Sequence, residues 1–359
     1  MGDVKLMKGN EALAEAAIRS GCDAYFGYPI TPQSEVLEYL ARELPNRKNA
    51  AMKILQAESE VAAINMIYGA AGAGKRAMTT SSSPGISLMQ EGLSYIASAE
   101  LPCLLANINR GGPGLGTIQP AQGDYFQSTK GGGHGDYHLI VLAPSSVQEM
   151  ADHVRLGFDL ADKYRNPVMI LSDGAVGQMM EKVEFPEQIT NLQVDKPWAT
   201  VGKPKSRERN IITSLHIDPH EMEAINLRLQ EKYKVLKKNE VRYQTFMTDD
   251  AEYLIVAYGL AARISQKVVE LLREQNVKAG LIRPITLFPF PSEIIKQVGS
   301  RVKGILDVEM NAGQMIEDVR LSIEGKTRVE FYGRMGGVIP TPEEIFEHFE
   351  KIFLKGESK

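Results

Sequence analysis

The chain is 359 residues long, 43% hydrophobic and 24% charged, which is enough for two domains with cores of their own and too apolar for disorder. Its formal net charge of −4 gives no general pull toward nucleic acid or an anionic membrane surface. The longest apolar runs, such as 101–108, are too short to span a bilayer, and the amino terminus lacks the basic-then-apolar plan of a signal peptide, so a cytoplasmic protein is expected.

The only cysteines, Cys22 and Cys103, sit in apolar, strand-like settings and form no CxxC pair. They are expected as core thiols and cannot alone hold an iron–sulfur cluster or a zinc. Electrons or metals, if they enter the chemistry, are carried by another chain.

Alternating helical and strand-like pieces in the first section predict a doubly wound parallel sheet. An amphipathic helix over 9–20 leads to a strand over 24–28. In the following Pro29-Ile30-Thr31-Pro32-Gln33-Ser34-Glu35, Pro32 suits a first helical turn, Thr31 its N-cap, and Glu35 helps satisfy that end. A short strand over 50–55 passes straight into Gln56-Ala57-Glu58-Ser59-Glu60-Val61-Ala62-Ala63 and a helix over 61–75. Glu58 and Glu60 therefore lie at a strand-to-helix junction, the edge at which parallel α/β sheets bind ligands. An acid in a first turn also simply complements the helix dipole.

Residues 76–80 read as a strand running into Ser81-Ser82-Ser83-Pro84-Gly85, where small side chains permit close approach of a ligand or backbone, followed by a helix over 86–99. A buried strand over 101–109 empties into Arg110-Gly111-Gly112-Pro113-Gly114-Leu115-Gly116-Thr117 and then Gln119-Pro120-Ala121-Gln122-Gly123-Asp124. That long, glycine-rich segment stands where active-site loops belong. Arg110 at its base can grip a carboxylate through two parallel hydrogen bonds. His134, in a glycine run, is expected to be solvated rather than catalytic. A strand over 139–142, a helix over 146–164 and a last strand over 167–172 complete a first domain over 1–180.

Over 181–250 periodicity weakens and charge rises, as in a connector, with a basic stretch over 203–209 that lacks interleaved aromatics and a Lys/Glu-rich helix over 219–238. Residues 251–359 return to β-α alternation and predict a second doubly wound domain, which includes an extended piece over 284–291. Asp307-Val308-Glu309-Met310-Asn311-Ala312-Gly313-Gln314 falls at a carboxyl edge and reads as an interdomain or subunit contact. Gly69 to Lys75 looks like a phosphate loop but ends a helix instead of opening one, and Arg76 stands where Ser or Thr would be needed. No HExxH, GxSxG elbow or GxGxxG turn is present, so a metalloprotease, an α/β hydrolase and a dinucleotide-binding turn are set aside.

Gly27-Tyr28-Pro29-Ile30-Thr31-Pro32, Glu58-Ser59-Glu60-Val61-Ala62-Ala63, Thr80-Ser81-Ser82-Ser83-Pro84-Gly85 and Arg110-Gly111-Gly112-Pro113 with Gln122-Gly123-Asp124 together resemble the α subunit of 2-oxoacid:ferredoxin oxidoreductases. The resemblance continues through Arg283-Pro284-Ile285-Thr286-Leu287-Phe288-Pro289 and Glu309-Met310-Asn311-Ala312-Gly313-Gln314 to Gly333-Arg334-Met335-Gly336-Gly337. It implies two doubly wound parallel-sheet domains of α/β class: one holding the aminopyrimidine of thiamine diphosphate, the other similar to the transketolase carboxyl-terminal domain.

The resemblance further implies a split enzyme, in which a β subunit supplies the diphosphate and Mg2+ site and an iron–sulfur cluster, with γ and δ iron–sulfur subunits in some assemblies. Ferredoxin takes the electrons and coenzyme A takes the acyl group. Glu60 would bond the pyrimidine ring nitrogen and so activate the cofactor, with Glu58 as its competitor for the role. Pro29, Ile30 and Ser83 would line the cofactor, while Thr31 and Arg110 would bind the 2-oxoacid carboxylate. The branched-chain type, acting on 3-methyl-2-oxobutanoate, is resembled most; 2-oxoglutarate enzymes are close relatives, and a non-catalytic docking subunit is the alternative outside enzymology. The loop over 111–127 offers no second cation for a distal carboxylate, which favours an apolar substrate tail.

Overall fold

The computed structural model describes residues 3–47, 51–187 and 194–355. The strands β1 (Asp3–Lys8), β2 (Ala24–Gly27), β3 (Lys53–Gln56), β4 (Ala77–Ser81), β5 (Cys103–Asn109), β6 (Ile140–Leu142), β7 (Pro167–Asp173) and β8 (Met180–Phe185) fill the first half of the chain. Between them run α1 (Gly9–Arg19), α2 (Ser34–Glu43), α3 (Glu60–Gly72), α4 (Ser83–Ser98), α5 (Tyr125–Thr129), α6 (Val147–Tyr164) and α7 (Gly174–Gln178). The second half contributes α8 (Pro219–Asn239), β9 (Tyr243–Phe246), β10 (Tyr253–Ala257), α9 (Gly259–Glu274), β11 (Ala279–Pro284), β12 (Thr286–Phe288), α10 (Ser292–Gly299), β13 (Gly304–Glu309), α11 (Met315–Ile323), β14 (Val329–Gly333) and α12 (Pro342–Phe349).

The large sheet has the order β12-β6-β7-β5-β4-β2-β3, all parallel but for β12 against β6. Every residue of β5 and β7 is buried, since helices cover both sheet faces, which explains their unbroken apolar runs. The small sheet, β14-β13-β10-β11-β9, is parallel apart from β9. Two doubly wound α/β units thus carry the chain, and β1 pairs antiparallel with β8 beside the first. Cys22 and Cys103 are buried, and burial pushes the Cys22 thiol up to about 12, as befits core thiols rather than ligands. Among the described residues no helix is long and apolar enough to cross a membrane, and no cluster of three His, Cys, Asp or Glu residues could hold a metal.

Three local expectations are corrected. Thr31 does not cap α2, which begins at Ser34 after Gln33; a turn from the Ile30 carbonyl to the Gln33 N–H (3.0 Å) intervenes, and Glu35 is drawn instead to Asn10 and Gln178. Ser83 opens α4 rather than preceding it, because Ser82 is extended and Pro84 suits the first turn. Thr286–Phe288, read as part of the second domain, extends the large sheet: β6 has only three residues, and β12 covers its open edge while Phe288 stacks on His138 with ring centroids 4.2 Å apart.

The units are bound tightly. Gln122 donates from Nε2 to the Tyr258 carbonyl (2.9 Å), accepts at Oε1 from the Met310 N–H (2.9 Å), and accepts at its carbonyl from Asn311 Nδ2 (2.9 Å). The Asp307–Gln314 segment is therefore an interdomain contact, as the sequence reading has it. Glu309, fully buried in β13, accepts from Asn311 Nδ2 and from the N–H groups of Gln314, Met315 and Ile316 at the start of α11. Arg283 adds a two-armed bond to Glu149 (2.6 and 2.8 Å).

Candidate active site

Four neighbouring strands, β5, β4, β2 and β3, deliver their carboxyl ends to one edge of the large sheet, the edge at which open α/β folds place ligands. Beyond β3, Ser59 is extended and its Oγ accepts from the Ala62 N–H (3.1 Å), so α3 starts at Glu60. Glu60 is 6% exposed, and among the described residues no group hydrogen-bonds its carboxylate. Buried carboxylates are normally paired, so one without a partner points to a ligand. Glu58, its competitor, is exposed.

Across from Glu60 lies the start of α4. A Cβ placed on Gly85 would come 2.6 Å from Glu60 Oε1 and 2.0 Å from Ser81 Oγ, so only glycine lets α4 approach the carboxylate this closely. Ser83 Oγ accepts from the Arg110 N–H (3.1 Å) and lies 3.3 Å from the Arg110 carbonyl oxygen. Arg110, last in line after β5, donates from Nη1 to the Thr31 carbonyl (2.9 Å) and from Nη2 to the Leu115 carbonyl (3.0 Å). Thr31 is exposed, and its hydroxyl is unbonded among the described residues; Pro29, exposed, and Ile30, half-buried, share its turn. Ser83, Arg110 and Thr31 are thereby linked in one run along the edge, and Glu60 meets the same start of α4 at Gly85, two residues on from Ser83.

Behind this run lie further polar groups, of which sequence reasoning singled out Ser81, Ser82 and Arg110 but missed Asn107 and Asn109. Ser81 Oγ, Ser82 Oγ, Asn107 Oδ1, Asn109 Nδ2 and Arg110 Nε are all buried without a partner. Such a concentration of unmet donors and acceptors marks this sheet edge as a polar pocket within an apolar fold. Asn107 and Asn109, the polar residues inside an otherwise apolar strand, were the available signal. Asn107 Nδ2 donates to Asp124 Oδ2 (2.8 Å), and burial raises the Asp124 carboxyl above its ordinary value. Asp173, paired in register with Asn109 and buried at the end of β7, is pushed up to about 6 by burial, against the pull of the Ala175 and Val176 N–H groups it caps.

His134 lies elsewhere. Its carbonyl accepts from Ser94 in the last turns of α4, about 16 Å along the helix from Ser83. The glycine loop after Arg110 closes on itself through Gly111 N–H to the Gln119 carbonyl (2.9 Å) and packs on the second domain, where a Cβ on Gly111 would meet the Gly336 backbone at 2.6 Å.

A buried carboxylate, an arginine–threonine pair and unmet polar atoms stand together at the carboxyl edge of a doubly wound sheet, where such folds place polar ligands. Residues 15–252 match the family described as pyruvate flavodoxin/ferredoxin oxidoreductase, thiamine diphosphate-binding, and residues 251–345 match core domain II of pyruvate:ferredoxin oxidoreductase. The ketoisovalerate oxidoreductase subunit VorB of Methanothermobacter thermautotrophicus is 49% identical, over 97% of each chain. The 2-oxoglutarate synthase subunit KorA of Methanocaldococcus jannaschii is 36% identical over 95% of this chain and 98% of its own. The 2-oxoglutarate:ferredoxin oxidoreductase of Magnetococcus marinus, solved with 2-oxoglutarate, coenzyme A and succinyl-CoA bound, superposes with a TM-score of 0.87 at 28% identity, covering 98% of this chain and 65% of that one. The chain belongs to the 2-oxoacid:ferredoxin oxidoreductase family, as one subunit of such an enzyme.

Thiamine diphosphate fits the residues present. Its aminopyrimidine is flat and carries ring nitrogens and an amino group, which match the unpartnered Glu60 carboxylate beside the glycine-containing start of α4.

Proposed function

We propose that this chain is the α subunit of an enzyme that oxidatively decarboxylates a branched-chain 2-oxoacid, 3-methyl-2-oxobutanoate, to its acyl-CoA and CO2 with reduction of ferredoxin. The observation that carries the reading is the run Ser83–Arg110–Thr31 with Glu60 beside it along one sheet edge, on a chain whose similarity to ketoisovalerate oxidoreductase subunits exceeds that to the 2-oxoglutarate synthase subunits.

Bound here, thiamine diphosphate supplies a carbon nucleophile for the 2-oxo carbon and a sink for the electron pair left when CO2 departs. The chain's part is to hold and orient. Glu60 offers a water-poor carboxyl at which a ring nitrogen can share a proton, with Pro29, Ile30 and Ser83 beside the ring. Arg110 has five N–H donors, of which two are bonded to carbonyls and the Nε–H is buried, so one on each terminal nitrogen remains for the substrate carboxylate, together with the Thr31 hydroxyl. A β subunit would hold the diphosphate, Mg2+ and an iron–sulfur cluster, with γ and δ iron–sulfur subunits completing some assemblies in the cytoplasm. Exposed Leu55, Val61, Leu88 and Leu115, on β3, α3, α4 and the glycine loop, supply apolar surface around the site for the β subunit to cover.

The test is reduction of a low-potential dye by the complex co-purified with its native partners. Turnover is expected only with coenzyme A present, and fastest with 3-methyl-2-oxobutanoate among short branched 2-oxoacids, pyruvate and 2-oxoglutarate. Preference for 2-oxoglutarate would overturn the substrate, and turnover indifferent to coenzyme A would overturn the reaction.

A further inference from the structure

Thr31 projects from a turn that is not itself part of a helix or strand, so something outside the turn must hold it. The Pro32 carbonyl, one residue on, accepts two side-chain amides: Asn10 Nδ2 at 2.7 Å and Gln178 Nε2 at 3.2 Å. Both amides also donate to Glu35 in the first turn of α2, Asn10 to Oε2 (3.0 Å) and Gln178 to Oε1 (2.6 Å). Lys8 Nζ donates to Gln178 Oε1 (3.2 Å), which fixes the amide with its nitrogen toward Pro32.

The backbone enforces the same arrangement. A Cβ on Gly174 would lie 3.1 Å from Pro32 Cγ, so the first residue of α7 rests against the proline ring. A Cβ on Gly177 would lie 2.7 Å from Asn10 Oδ1, and one on Gly9 only 2.1 Å from the Val176 carbonyl oxygen, so α7 and the start of α1 meet at backbone distance. On the other flank Gln33, 1% exposed, donates to the Tyr28 carbonyl (3.2 Å) and accepts from Thr80. The turn is clasped at both ends, with Arg110 bonded to its middle carbonyl.

We propose that Gln178, seconded by Asn10 and steadied by Lys8, is a positioning residue that sets Thr31 for the substrate carboxylate. It rests on the reading of Thr31 and Arg110 given above. Gln178 is uncharged and reaches the substrate only through the Pro32 carbonyl, so it acts on binding and not on the chemical step. It is also half-buried rather than core, so its loss leaves the packing of α7 against α1 in place.

The test is a double-mutant cycle in the assembled enzyme, read as KM for the 2-oxoacid and kcat separately. Gln178→Met removes both donated bonds at nearly constant volume and is expected to raise KM about tenfold while kcat falls less than about threefold. In a Thr31→Ala background the same change is expected to raise KM clearly less, about threefold, because the hydroxyl it positions is gone and only its effect on Arg110, through the Thr31 carbonyl, remains. Lys8→Met serves as a second variant and is expected to raise KM about threefold through the unsteadied amide. A Gln178→Met effect of the same size in both backgrounds, or an equal fall in kcat with KM unchanged, would overturn the proposal alone. A Thr31→Ala enzyme with ordinary KM would overturn the carboxylate-binding role of Thr31, and this proposal with it.

Discussion

Glu60→Gln in the reconstituted enzyme is expected to lower kcat about a thousandfold, the loss typical of a general acid–base group that acts in the transition state. The substitution keeps the side-chain volume, and an amide can still donate to or accept from a ring nitrogen. It can no longer hold or pass a proton there. The Glu60 side chain forms no hydrogen bond within the described residues, so no intramolecular bond is broken, and the unfolding temperature of the variant should stay within a few degrees of the parent. Steady-state dye reduction and thermal unfolding, measured on the same preparations, check both halves. A subunit that merely docks partners would show turnover close to the parent's.

Arg110→Lys is expected to raise KM for the 2-oxoacid about a hundredfold, equivalent to about 2.7 kcal/mol of lost binding. Lysine keeps the charge but presents three donors from one point, whereas the guanidinium spans the Thr31 carbonyl on one side and the Leu115 carbonyl on the other while still facing an anion. Leu115 itself is 82% exposed, so that bond holds the tip of the glycine loop to the sheet edge. Losing it frees the loop as well as the carboxylate grip, which is why charge retention alone does not rescue affinity. Initial-rate curves over a wide substrate range distinguish this from a fall in kcat.

What the sequence made legible was the local part of the site. The strand-to-helix junction at Glu60, the small-residue stretch Ser81–Gly85 and an arginine at the end of an apolar strand are all written within a few residues and lie where the sequence reading puts them, although the helices begin earlier than read, at Glu60 after the Ser59 cap and at Ser83. The misplaced parts depend on distant partners. Thr31 reads as an N-cap because Pro32 and Glu35 follow it, but Glu35 is claimed by Asn10, 25 residues before it, and Gln178, 143 residues after it. β12 reads as belonging to its neighbours in sequence, but the unpaired edge of β6 claims it. Asn107 and Asn109 were hidden by the apolar residues alternating with them, although a polar residue in a strand buried on both faces is itself a sign of a ligand or a network.

The most direct measurement is a structure of the complete complex with thiamine diphosphate bound. A pyrimidine ring nitrogen should lie within hydrogen-bond distance of a Glu60 carboxylate oxygen, with the diphosphate and Mg2+ held by the partner subunit. A Glu60 side chain turned into solvent, or a cofactor enclosed wholly by this chain, would contradict the account.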